Sequence, residues 1–245
     1  MASRHCLVTG ANRGLGLEFV RQLLARGDHV IATCRKPGKA TALNALAGGH
    51  PGRLHVLPLD VADPKTHLEL ARELPLVLGG PDEDAPNESR PAKLDLLINN
   101  AGVLHSGERF GRLSASIVED SFRTNAMGPL LLTQALAESL ADGGKVANLS
   151  SQLGSIAGVS RFGTPSYNIS KAALNMVSAL LAQALGSRGI SVLALHPGWA
   201  QTDMGGSDAT VPATDAVSGL LRVIDGATAA QSGHFFDWQG RELAW

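Results

Sequence analysis

A short apolar run, CLVTG, leads directly into TGANRGLG (9–16), and that turn opens LGLEFVRQLLARG, where Leu15, Phe19, Leu23 and Leu24 recur at helical spacing and Gly27 offers a stop. Strand, glycine turn and helix in immediate succession admit few folds. The glycines permit a tight turn and let an anion approach main-chain N–H groups, while the helix N-terminus adds a favourable dipole. Gly10, Asn12, Arg13, Gly14, Leu15 and Gly16 are therefore expected to cradle the pyrophosphate of a dinucleotide.

The same alternation continues along the chain. Apolar runs HVIATC, LHVLPLD, LDLLINN, KVANLSS, ISVLALHPG and GHFFDW are separated by helical patterns at roughly 64–78, 115–141, 166–187 and 212–225. Continuous apolar strands indicate a sheet covered on both faces, and β–α alternation indicates parallel strands with right-handed crossovers. The expected fold is α/β: one doubly wound Rossmann-type domain spanning residues 1–245, with a parallel sheet of about seven strands. The polar, proline-rich stretch 79–93 reads as a surface loop. Net charge is −1 with no basic run, which argues against nucleic acid as a partner. No long uninterrupted apolar stretch predicts a membrane span. The N-terminal MASRHCLVTG is too quickly structured to read as a signal peptide. The cysteines Cys6 and Cys34 have no metal spacing and fit a reducing cytoplasm; strand geometry predicts two free thiols, and no metal site is expected.

The second strand selects the nucleotide. A free ribose 2′-hydroxyl usually meets a carboxylate at its end, but here Cys34, Arg35 and Lys36 occupy that stretch. Arg35 and Arg13 are placed to pair with a 2′-phosphate, since an arginine fork bonds two oxygens at once. NADP(H) is expected rather than NAD.

With these features in order, the chain resembles the short-chain dehydrogenase/reductase family from Leu7 nearly to its end. Thr9, Gly10, Gly14 and Gly16 fit its glycine motif. Asp60, with Val61 beside it, fits the aspartate at the adenine end, and NNAG (99–102), with Asn100, Ala101 and Gly102, fits the turn after the fourth strand. Asn125 fits the helix asparagine, Tyr167 and Lys171 the Y-x-x-x-K pair, and Pro197, Gly198 and Thr202 the segment lining the nicotinamide. The endings HPGWAQTDMGG and GHFFDWQGRELAW are similar to those of C-factor and Sniffer-type carbonyl reductases. Of Ser150 and Ser151, the second better fits the family serine. Its interval to Tyr167 is longer than usual in the family, so residues of SIAGVSRFGTPS are expected to loop out beside the substrate.

The resemblance implies carbonyl reduction with Ser151, Tyr167, Lys171 and Asn125 as the catalytic set. Spacing i, i+4 puts Tyr167, the chain's single tyrosine, and Lys171 on one helical face. A neighbouring ammonium would favour the phenolate and pull the Tyr167 pKa down toward neutrality. By the same resemblance, Lys171 bonds the nicotinamide ribose, Ser151 bonds the substrate oxygen, and Asn125 holds a water relaying protons to Lys171. Phe162 and Trp199 are candidates to line the substrate pocket, whereas His196 is expected to pack at a strand end. The expected partner is a small carbonyl compound, and the long helices at 115–141 and 166–187 suggest a homodimer. A C-factor-like signalling protein and a 3-oxoacyl thioester reductase are the competing readings.

Overall fold

The computed structural model describes residues 3–79 and 92–245. Most of the stretch read as a surface loop (79–93) falls outside them. Seven strands, β1 (His5–Thr9), β2 (His29–Cys34), β3 (Leu54–Pro58), β4 (Leu94–Asn99), β5 (Leu140–Leu149), β6 (Ser191–His196) and β7 (Phe235–Asp237), form one sheet in the order β3-β2-β1-β4-β5-β6-β7. Every neighbouring pair is parallel. The chain therefore winds outward from β1 to one edge, returns to β4, and winds to the other edge. Such a reversal leaves a crevice beyond the carboxyl ends of β1 and β4, where ligands of doubly wound sheets bind.

Alternation along each strand divides the core into two layers. Val8, Ala32, Ile98 and Leu195 meet Phe19 and Leu23 of α1 (Gly14–Ala25), Leu43 of α2 (Thr41–Gly49) and Leu220 of α7 (Ala213–Gly226) on one face. Leu7, Ile31, Leu97, Val146 and Val192 meet Leu74 of α3 (Pro64–Val77), Leu132 of α5 (Gly128–Ala135) and Leu174, Val177 and Leu181 of α6 (Pro165–Leu185) on the other. Pro165–Arg188 is apolar and long enough to cross a membrane, but half of that stretch is buried against the protein, as in a core helix.

The helix pattern departs from the sequence reading in two places, whereas the expectation of two free thiols is met. The helix read over 115–141 is two helices, α4 (Ala115–Phe122) and α5, joined by a π-helical turn at Arg123–Met127, and β5 already begins at Leu140. π-Turns inside helices mark insertions that re-aim a side chain, often at functional sites; here Asn125 lies at the centre. The helix α2 carries only one fully buried residue, Leu43, so its periodicity is too weak to read. The cysteines are both free and buried, and Cys6 pairs with Val30, leaving Cys34 four residues further along the neighbouring strand.

Candidate active site

The glycine turn is locked to the end of β4. Thr9 Oγ1 accepts from the Asn100 and Ala101 N–H groups, both at 3.0 Å, and Asn100 Nδ2 donates back to the Thr9 carbonyl at 2.8 Å. Two glycines make this approach possible. A Cβ on Gly10, which has φ +65°, would lie 2.8 Å from Ala101 Cα, and one on Gly16 would collide with Gly10 O and Asn100 Nδ2. Asn12, Arg13 and Gly14 are exposed above the turn, and Leu15 is partly so. No side chain caps α1, and its first turn holds no acidic residue, so its leading N–H groups are open to an anion. This cradle fits the pyrophosphate of a dinucleotide.

The other expected cofactor contacts surround that cradle at the carboxyl ends of the strands. Arg35 is exposed immediately after β2, next to the buried Cys34, and the Ala11 N–H donates to the Thr33 carbonyl at 2.9 Å, tying turn to strand. Arg13 is engaged: its guanidinium pairs with Asp203 at 2.9 Å, both side chains being largely exposed. Asp60 follows β3, accepting from the Ala62 N–H at 3.0 Å, and Val61 is buried beneath Gly128. Pro197 and Gly198 follow β6. Thr202 rests on the glycine turn, its Cγ2 lying 3.5 Å from where a Gly14 Cβ would stand.

Tyr167 and Lys171 project from the first two turns of α6 toward the end of β5. Both are buried. The Lys171 ammonium donates to the Leu149 carbonyl at 2.6 Å and lies 5.5 Å from the Tyr167 ring centre. Ser151 faces the Tyr167 phenol closely enough to favour its ionised form, whereas Ser150 turns away and donates to Asn175 Oδ1 at 2.5 Å. The two successive serines therefore face opposite ways off the strand, and only Ser151 meets Tyr167.

Burial governs the electrostatics here. It pushes the Tyr167 phenol up to about 12, partly offset by the nearby Ser151 hydroxyl, and pushes Lys171 down to about 7. The expectation that Lys171 pulls the phenol down is thus not met, because the burial that raises the phenol also weakens the ammonium's own charge. His196 behaves as expected of a packed strand-end residue: it is buried, and burial lowers it to about 4.

A pH dependence follows from Lys171. Its folded pKa lies below the usual 10.5, so between about pH 7 and 10.5 the unfolded chain holds a proton that the folded one lacks, and stability rises with pH. Below pH 7 the burial penalty is fully felt. Lys171→Met removes this dependence. Its stability gain over the parent should shrink by about 3 kcal/mol between pH 6 and 9; paired denaturant titrations at the two pH values measure it, and a constant difference would contradict the assignment.

Asn125 is fully buried and cross-links the site. Its Oδ1 accepts from the Val103 N–H at 2.8 Å, and its Nδ2 donates to the Val103 carbonyl at 2.8 Å and to Ser170 Oγ at 2.9 Å. Both of its donors are spent on protein, so the side chain positions neighbouring segments, and a relay water is left only one Oδ1 lone pair. Gly102 lies beneath, where a Cβ would come within 3.1 Å of Asn125 Oδ1.

The stretch between Ser151 and Tyr167 does loop out. Beside it lies a cavity of about 530 Å³, lined by Leu153, Val159, Arg161, Thr164, Asn168 and Leu243 among others. Phe162, on this loop, packs edge-on against Phe110. Trp199 is half exposed and donates to the Gly205 carbonyl at 2.8 Å. Neither lines that cavity. Sequence reasoning missed Val103 and Ser170, which position Asn125, and Glu108, which meets the start of α6; no motif flags any of the three.

Known proteins are similar to this chain in sequence and in fold. The chain is 46% identical to C-signal of Myxococcus xanthus over 154 residues, 62% of this chain and 93% of that one. It is 32% identical to 1-hydroxy-2-glutathionyl-2-methyl-3-butene dehydrogenase of Rhodococcus sp. (strain AD45) over 243 residues, 98% of each. Among solved structures, the NADPH-bound carbonyl reductase from chicken fatty liver superposes with a TM-score of 0.90 at 36% identity, and carbonyl reductase Sniffer of D. melanogaster with 0.90 at 30%, each over 100% of both chains. The family profile described as short chain dehydrogenase matches residues 4–211. The chain, with its glycine cradle and its Ser151–Tyr167–Lys171 cluster, belongs to the short-chain dehydrogenase family of oxidoreductases.

Proposed function

We propose that this protein is an NADPH-dependent carbonyl reductase that converts a ketone, aldehyde or quinone to an alcohol, with Tyr167 as proton donor. The carrying observation is the convergence of Ser151, Tyr167 and Lys171 at the mouth of the crevice that also holds the glycine cradle. Bound NADPH supplies the hydride. The chain supplies the rest. The turn at 10–16 and the open N-terminus of α1 hold the pyrophosphate, and Arg35 and Arg13 meet the 2′-phosphate. Asp60, Val61, Asn100, Ala101 and Gly102 line the adenosine side, and Pro197, Gly198 and Thr202 the nicotinamide side.

At the reacting end, Ser151 donates to the carbonyl oxygen as charge develops on it. A phenol pushed up to about 12 stays protonated at neutral pH, the form a donor needs in the reducing direction. Lys171, adjoining the phenol, favours the phenolate once the proton has left. The cavity beside residues 152–164 takes the body of the substrate. The test is NADPH oxidation against a panel of isatin, quinones, aromatic aldehydes and acetoacetyl thioesters. Turnover of the first three classes supports the reading, turnover of the thioester alone favours a 3-oxoacyl reductase, and turnover of none rejects it.

The 46% identity to C-signal favours a second reading, a nucleotide-binding signalling protein. The two diverge in what Tyr167→Phe does: it removes carbonyl turnover and leaves a purely binding role intact.

Assembly as a homodimer is part of the same proposal. While Leu174, Val177 and Leu181 of α6 face the sheet, Ile169, Met176 and Leu180 on its outer side are exposed, as is Phe122 of the adjoining α4. The two uses of the helix, core and interface, thus fall on different faces. Light scattering at micromolar concentration is expected to give the mass of two chains; a monomer would count against it.

A further inference from the structure

The helix that carries Tyr167 begins in an unusual way. Its N-cap residue, Thr164, has φ 42° and ψ 53°, a left-handed conformation that is rare for a β-branched residue and further disfavoured before proline. The Thr164 hydroxyl does not cap the helix but donates to Asn168 Oδ1 at 3.1 Å. Pro165 has no N–H, so Ser166 carries the first main-chain donor. That donor is met from far along the chain. Glu108 Oε2, 58 residues earlier, accepts the Ser166 N–H at 3.3 Å and the Ser166 hydroxyl at 2.7 Å. Ser166 is completely buried, and its neighbour is Tyr167.

We infer that Glu108 is a positioning residue for Tyr167, capping the catalytic helix from the segment after β4 and fixing the turn from which the phenol projects. Four observations agree. A carboxylate is the favoured group at a helix N-terminus. The same two segments meet again at Phe110 and Phe162, whose rings lie 5.6 Å apart edge to face. The Glu108 segment is anchored upstream by the paired Val103–Asn125 hydrogen bonds. Asn125 in turn holds Ser170, whose hydroxyl donates to the Tyr167 carbonyl at 2.8 Å. The Tyr167 main chain is thus gripped through Glu108 before it and through Asn125 and Ser170 after it. The second carboxylate oxygen, Oε1, is buried with no hydrogen-bond partner. A local Ser, Asp or Asn cap would avoid both that cost and the Thr164 strain; the remote cap instead couples the helix to the segment bordering the site.

The inference rests on the proposed proton-donating role of Tyr167, and its test separates the two. Glu108→Ala is expected to lower kcat for carbonyl reduction by about 10- to 100-fold, as for a slight misplacement of a reacting group, with the Kd for NADPH unchanged. Glu108→Gln keeps an oxygen acceptor for Ser166 and should restore kcat to within about threefold of the parent, since the hydrogen-bonding geometry is retained. In a Tyr167→Phe background, Glu108→Ala should cost no more than about twofold, because residues that act as a unit are non-additive. Where Glu108→Ala yields no folded protein, Glu108→Asp, one methylene shorter with the same charge, takes its place with the same expected fall. An equal loss in both backgrounds, or a parental kcat for Glu108→Ala when Tyr167→Phe is impaired, would overturn the positioning role alone. A parental rate for Tyr167→Phe would overturn the proton-donor reading and this inference with it.

Discussion

Tyr167→Phe is expected to reduce carbonyl turnover by about 10²–10⁴-fold, the range typical of a lost general acid, with the Kd for NADPH staying at the parent value. The substitution removes one oxygen and keeps the ring, so the packing of a residue only 8% exposed is preserved. The expected cofactor contacts lie in the glycine turn, Arg35 and Lys171, none of which moves. Lys171→Ala differs in kind. It takes away the ammonium and its 2.6 Å bond to the Leu149 carbonyl, so NADPH binding is expected to weaken together with turnover. Single-turnover rates and fluorescence titration of NADPH separate the two variants. Parental turnover by Tyr167→Phe would make the tyrosine a helix residue and no more.

Arg35→Asp is expected to weaken NADPH binding by about tenfold to more than a hundredfold, since a charge-assisted contact is worth about 1.5–3 kcal/mol and each 1.4 kcal/mol is a factor of ten. The same change should improve NADH binding, because the new carboxylate stands where a ribose 2′-hydroxyl is normally accepted. The parent should prefer NADPH; equal affinity for both cofactors would refute the assignment. Arg35 is expected to bear most of this preference. Arg13 must first leave Asp203, although that exposed pair, at 66% and 78% side-chain exposure, is worth at most about 1 kcal/mol and exchanges readily for a phosphate.

Much of the site was legible because the chemistry constrains local sequence. Tyr167 and Lys171 share a face through helical periodicity alone, and the glycine turn announces itself between strand and helix. The preference for Ser151 over Ser150 came from the family resemblance, and strand alternation implied only that the two serines point to opposite faces. The roles of Asn125 and Glu108 were not. The partners of Asn125 are 22 and 45 residues away, and a π-helical turn, invisible in the residue pattern, sits at its position. Glu108 is one carboxylate on an irregular segment until the fold brings it to Ser166.

The sequence by itself determined the β–α order, the parallel seven-stranded sheet and the family, because apolar periodicity and close-range motifs are properties of neighbouring residues. Tertiary structure alone decided the ionisation of the site. Its burial raises the Tyr167 phenol and lowers Lys171, opposite to what their spacing suggests for the phenol, because desolvation depends on everything packed around a group and not on its neighbours in the chain. It decided likewise that Arg13 is engaged by Asp203 and that the helix carrying Tyr167 is met at its start by a carboxylate from 58 residues away. Those contacts join side chains that no local pattern relates, and only the closed sheet with its two helical layers brings them within hydrogen-bonding distance.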